Sequence, residues 1–238
     1  MNSTDHVSVT HVPAVVARTI ISNNTRYFNT FSSPDWFARG IFNKINPVQQ
    51  YISNINASVV DPSAPEIRQF VDTVTTSIND VERKLRSLML RDRLDKNWFD
   101  VADFNTIEWR IIYTRGELYE SGYPHTVAGE IVVNIDNEAS MTPGILFHEK
   151  IHIYQRLRRA EYAKFVSDFG YSPIYYTPVL LAANPDNPTF DLHERNGDLS
   201  ATLYTSQRPG DVLATDEPHQ KPPYEQMAYL LQRIFDLF

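Results

Sequence analysis

The chain has 238 residues, 42% hydrophobic and 21% charged, with 22 basic residues against 29 acidic ones and no cysteine. That composition fits a globular protein with enough chain for a substantial core, and excludes a disordered or fibrous one. A net charge of -7 argues against nucleic acid as the main partner, and the missing thiols remove disulfides, thiolate metal sites and a cysteine nucleophile together.

No apolar run approaches the length of a membrane span, and residues 1–10 lack a basic-then-apolar leader. A soluble, cytoplasmic protein with no membrane role is therefore expected. Residues 1–25 carry no clear period and read as a flexible, partly ordered arm. Ser33-Pro34-Asp35 signals a helix start with Ser33 as cap, and Asn46-Pro47 opens a short helix ending near Ala57. A longer amphipathic helix starts at Ser63-Ala64-Pro65-Glu66 and runs to about Arg91. Ile67, Phe70, Val74, Ile78, Val81, Leu85 and Leu88 recur at helical steps along it and mark a core face.

Beyond residue 104 the character changes. Residues 107–114 and 130–135 are β-branched and aromatic and read as strands, flanking a turn-rich loop over 120–126. Ser140 or Thr142, with Pro143 just inside, opens a helix to about Asp168, where Gly170 supplies a stop. Asn196-Gly197 between two short strand-like runs is a hairpin signal. The last helix covers residues 224–238, with Met227, Ala228, Leu231, Ile234 and Phe235 on its apolar side. The pattern predicts an α+β fold: a largely helical N-terminal lobe over 26–104, and a lobe over 105–238 holding a small sheet beside the 140–168 helix.

That helix contains Phe147-His148-Glu149-Lys150-Ile151-His152, an H-E-x-x-H run. Four residues is slightly more than one turn, so His148 and His152 project from one face and can share a zinc ion. Glu149, beside them, is placed to take a proton from a metal-bound water. A catalytic site needs a third protein ligand and an open position. The form H-E-x-x-H-x-x-G-x-x-H is excluded, because Gln155 and Arg158 stand where it requires glycine and histidine. Two glutamates remain. Glu194 sits on an arm of the Asn196-Gly197 hairpin, whereas Glu225 opens a helix in which Ala228 permits close packing. Glu225 is preferred because a ligand belongs on a rigid element, with Glu194 the alternative.

His148, Glu149 and His152, followed by a helix with Glu225 and Ala228, resemble the gluzincin class of zinc metallopeptidases over roughly residues 105–238. The segments 122–126, 147–152 and 184–186 are also similar to uncharacterised zincin-like proteins of large DNA viruses, which would make the chain a viral protein, cytoplasmic or virion-associated. The resemblance implies a zincin-like fold, zinc as cofactor, a peptide or protein substrate, and Glu149 as general base. In zincins a strand beside the zinc helix pairs with extended substrate, and residues 130–135 are the expected strand. His125, Tyr204 and Tyr229 are candidates for stabilising the oxyanion. The charged Lys150 departs from the usual pattern. It favours a second reading, in which the metal serves a structural or interaction protein without proteolytic activity.

Overall fold

Residues 7–42, 45–174, 193–196, 198–200, 203–204, 212–213 and 222–238 are described by the computed structural model of the chain. The stretch expected to be an arm opens instead with a strand, β1 (Val9–His11), and a helix, α1 (Ala14–Asn23), whose Ala14, Ala17 and Ile21 are buried. Three residues of strand are too few to show a period, which is why the sequence conceals it. Residues 1–6 lie outside the described residues.

Next come α2 (Thr25–Phe28) and α3 (Ser33–Ala38). The cap of α3 is Ser32 rather than Ser33. Asp35 at the third helical position accepts from Ser32 N at 2.8 Å, and Ser32 Oγ faces Asp35 N in return, a reciprocal box that fixes the start one residue earlier. Pro47 opens α4 (Pro47–Ser58), which runs into β2 (Val59–Val60). The long helix expected to reach Arg91 is divided. A 3-10 turn (Pro65–Ile67) leads into α5 (Arg68–Leu85), and α6 (Leu88–Leu94) follows at a new angle. The break buries Leu90 and Leu94 while leaving Leu88 73% exposed, so Leu88 does not belong to the apolar stripe. α7 (Val101–Phe104) then precedes β3 (Trp109–Thr114).

The hairpin β4 (His125–Val127) and β5 (Glu130–Asn134) is followed by α8 (Pro143–Leu157) and α9 (Arg159–Asp168). The single helix expected to run to about Asp168 is thus divided at Arg158, where φ is -117° and ψ 61°, and Gly170, at φ 71°, supplies the left-handed stop after its second part. Among the described residues, five short strands come next: β6 (Ser172–Pro173), β7 (His193–Arg195), β8 (Asp198–Ser200), β9 (Leu203–Tyr204) and β10 (Val212–Leu213). β7 and β8 pair antiparallel with Arg195 opposite Asp198, the two-residue hairpin that Asn196-Gly197 foretells, and Asn196 has φ 56°. α10 (Pro223–Asp236) ends the chain.

β3 is the centre of the main sheet. β1 runs parallel along its first half and β2 antiparallel along its second half, both on one edge. β5 lies parallel on the other edge, and β4 pairs antiparallel with β5 beyond it. Alternation along the strands separates two cores. Ile111, Tyr113, Ile131 and Val133 face α5, α8 and α10, while Ile112, Val127 and Val132 face α1 and α4. The first hundred residues are therefore not a lobe apart. They supply two strands of this sheet and helices on both of its faces, in a mixed α/β fold. Phe147 stacks on Phe235 at 4.5 Å between α8 and α10, each fully buried and contributing ~1.5–3 kcal/mol.

α10 runs antiparallel to α8, with Tyr224 beside His152 and Asp236 beside Gly144. Glycine at 144, out of place by helix propensity, lies where the side chains of α10 come close. A Cβ there would lie 2.7 Å from Asp236 Oδ1 and 3.2 Å from Gln232 Nε2. Among the described residues no helix is long and apolar enough to cross a membrane.

Candidate metal centre

Thr142 caps α8 through Oγ1 toward Ile145 N, with Pro143 at the first position. The helix is buried continuously from Leu146 to Gln155, because the sheet, α5 and α10 surround it. One face turns to α10. On it His148 and His152 stack edge to face at 4.7 Å, 6% and 0% exposed.

The antiparallel crossing brings Glu225, in the first turn of α10, against both rings. His148 Nε2 lies 3.1 Å from His152 Nε2 and 3.5 Å from Glu225 Oε2, and His152 Nε2 lies 3.8 Å from Glu225 Oε1. Ligand atoms at ~2.0–2.2 Å from a tetrahedral zinc stand ~3.3 Å apart, so the three donors are spaced to fit one. No other such trio of His, Cys, Asp or Glu occurs among the described residues. Glu194 stays outside it, exposed on β7 and paired with Leu199.

The tautomers follow from the surroundings. Gln155 Nε2 donates to Tyr224 O at 2.8 Å, which turns Gln155 Oε1 toward His152 Nδ1 at 2.9 Å. Gln232 Oε1 stands 3.0 Å from His148 Nδ1. An amide oxygen only accepts, so with the amides turned this way each Nδ1 is the donor toward its glutamine and each Nε2 is the atom left to ligate a metal. Tyr224 stacks on His152 at 4.3 Å and 10°, and its hydroxyl donates to His152 O, locking the ring from a third side. The roles of Gln155, Gln232 and Tyr224 are not among those expected from the sequence. A signal was available, since Gln232 follows Glu225 by seven residues on one helix face.

A cavity of about 360 Å³ opens beside the trio, with Glu149, Tyr229, Tyr123, Pro124, Ala139 and Ile145 among its lining residues. Glu149 is 4% exposed and Glu225 has a side chain 19% exposed, so the centre is walled but not sealed. Tyr229 packs edge-on to His148 at 4.7 Å. Burial pushes its hydroxyl pKa above the usual 10, with the charges of Glu225 and Glu149 adding to the shift, so it stands protonated at the cavity wall.

His125 is not at this site. It is opposite Val132 in the β4–β5 register, which points its side chain to the α1/α4 face of the sheet, away from α8. There both ring nitrogens are engaged, Nδ1 with Tyr123 O at 3.0 Å and Nε2 with Tyr119 OH at 3.0 Å. The expected substrate-pairing strand is also displaced. β5 is enclosed between β3 and β4, so the margin of the sheet is β4, entered directly from Pro124. The side chain of Tyr204 and residues 184–186 lie outside the described residues.

Lys150 is no part of the centre. It leaves the opposite side of α8, 0% exposed, with Nζ 3.4 Å from Glu82 Oε1 and 4.2 Å from the Trp109 ring. Trp109 Nε1 donates to the same carboxylate oxygen at 2.7 Å. Desolvation lowers the Lys150 pKa to about 8 against the opposing pull of Glu82.

A second polar cluster, centred on Glu120, lies apart from the cavity lining. Glu120 is 8% exposed, and Arg39 Nε donates to both its oxygens at 3.0 and 2.9 Å. Tyr51 OH and Tyr27 OH also donate to Oε1. Glu120, Ser121 and Gly122 have φ of 48°, 53° and 71°, a left-handed turn that costs ~1–2 kcal/mol at each non-glycine position. Glycine is required at 122, where a Cβ would collide with Asn134 Nδ2.

Compared with known families and proteins, the chain matches no family model, no curated protein and no solved structure.

Proposed function

We propose that the protein is a zinc-dependent peptidase of zincin-like architecture, with His148, His152 and Glu225 as ligands and Glu149 as general base. One observation carries this reading: two imidazoles and a carboxylate bring their ligand atoms within 4.8 Å of one another, while Nδ1 of each ring faces a glutamine oxygen. A divalent cation satisfies such a centre, and two nitrogens with one carboxylate suit zinc better than magnesium or calcium.

When zinc is held there, the chemistry it supplies is Lewis acidity, lowering the pKa of a water in the cleft toward neutrality and polarising the scissile carbonyl. Glu149, at the cavity wall beside His148, takes the water's proton and later returns it to the leaving amine. Tyr229, kept protonated by burial and two carboxylates, donates to the developing oxyanion. The open cavity favours catalysis over a purely structural metal, because structural zinc sites are closed by four protein ligands.

The test is a diverse peptide mixture read by mass spectrometry. Zinc-loaded protein is expected to give reproducible cuts that a chelator suppresses. Glu149→Gln should lower the rate by ~10²–10⁴ while retaining zinc. Unchanged turnover in that variant would remove Glu149 from the mechanism.

A further inference from the structure

The cavity lining has two unlike parts. One is His148 and Glu225 with Glu149 and Tyr229; the other is Tyr123, Pro124 and Ile145 with the Asn137, Ala139 and Ser140 turn, and Tyr123 is 70% exposed. An exposed aromatic residue would normally gain freedom in a loop, yet this one directly follows the left-handed turn at Glu120, Ser121 and Gly122. Such backbone persists only where surroundings over-determine it, and it clusters where a fixed position matters.

The determinants are visible on three sides. Arg39 grips both oxygens of Glu120 from α3's C-terminus, and its guanidinium lies 4.2 Å over the Phe31 ring. Asn134, at the end of β5, donates to Gly116 O at 2.6 Å, and Asp136 accepts from Gly116 N at 2.9 Å, tying the loop's start to the sheet. His125 holds Tyr123 O at 3.0 Å, tying its end to β4. Buried charge pairing, glycine geometry and a strand contact thus all fix the residue before Pro124.

We infer that Tyr123 selects the substrate side chain next to the scissile bond, taking an apolar or aromatic one, and that the Glu120–Arg39 pair positions it. This rests on the peptidase reading of the same cavity and adds to it a substrate class and a specificity residue. The chemistry is stacking and apolar contact on Tyr123, Pro124 and Ile145, with Asn137 and Ser140 as the polar groups of that part of the lining.

The experiment uses zinc-loaded full-length protein and two probes, acetohydroxamate and 3-phenylpropanehydroxamate, titrated calorimetrically. Acetohydroxamate reads the metal alone; the ratio of the two affinities reads the apolar wall. In the wild type the phenyl probe should bind more tightly, and Tyr123→Ala should cut the ratio roughly three- to tenfold with acetohydroxamate unaffected. Glu120→Gln should reduce the ratio likewise at unchanged acetohydroxamate affinity, an effect that simple loss of stability does not produce. Arg39→Lys, which keeps the charge but loses the two-pronged grip, serves the same purpose if Glu120→Gln does not fold. A ratio unchanged in Tyr123→Ala, with acetohydroxamate still bound, overturns this inference and leaves the metal reading standing. If neither probe binds the zinc-loaded wild type, the peptidase reading and this inference fall together.

Discussion

His148 and His152 present their Nε2 atoms to each other at 3.1 Å while the opposite nitrogen of each ring faces a glutamine oxygen. With Glu225 completing the triangle, the ligand atoms of all three residues lie within 4.8 Å of one another. A cation between them would bind two imidazole nitrogens and a carboxylate at once.

Tyr229 should divide binding from chemistry. Tyr229→Phe removes the hydroxyl but keeps the ring against His148. Steady-state kinetics on a chelator-sensitive peptide should show kcat falling ~10²–10³ with KM little changed, as for loss of an oxyanion donor. An equal loss carried wholly by KM would instead make Tyr229 a substrate-binding residue.

Gln155 and Gln232 should tune metal affinity without touching the metal. Gln155→Leu and Gln232→Leu leave Nδ1 of His152 and His148 without their acceptors. Each should weaken zinc binding ~10–100-fold in a competition titration against a chromophoric chelator. Wild-type affinity in both variants would show that the rings are held by packing alone.

Lys150 is expected to be silent in catalysis. It points into the core toward Glu82 and the Trp109 ring, not into the cavity. Lys150→Met should leave turnover unchanged while lowering stability, since it strands the Glu82 carboxylate in the core. Glu82→Ala strands the lysine and should destabilise by ~3 kcal/mol in denaturant unfolding. A catalytic defect in a folded Lys150→Met protein would contradict this placement.

Acid should loosen the far side of the sheet first. Burial alone would raise the Glu120 pKa, but the Arg39 guanidinium, His125 and the Tyr51 hydroxyl outweigh it and hold the group below its usual 4.5. The folded state then binds fewer protons than the unfolded one. The stabilisation is fully present above about pH 4.5 and fades as pH falls through the depressed value. Thermal melts of wild type against Glu120→Gln should therefore converge on acidification below that point. A constant gap down to pH 3 would show that the charge of Glu120 contributes nothing.

The candidate metal trio was legible in the chain because its spacing is helical: histidines four positions apart, and a glutamate at the head of a second amphipathic helix. Strand parity was the harder matter. His125 reads as a site residue by composition, yet a period of two sends it to the opposite face, and only the register with Val132 reveals which face that is. β1 was invisible because three residues next to a parallel partner carry no periodic signal of their own. The reason for Gly144 emerged only with α10 in place, since the sequence gives no hint that Asp236 crosses it. Lys150 looked like a blemish on a zinc helix until Glu82, 68 residues earlier, was found beside it.

Anomalous diffraction at the zinc edge from crystals of the zinc-loaded protein is the most direct test. One peak per chain is expected, ~2.0–2.1 Å from Nε2 of His148 and of His152 and ~2.0–2.2 Å from a Glu225 oxygen, with open cavity on its fourth side. No peak between these residues in zinc-soaked crystals, or a peak ligated elsewhere, would contradict the account.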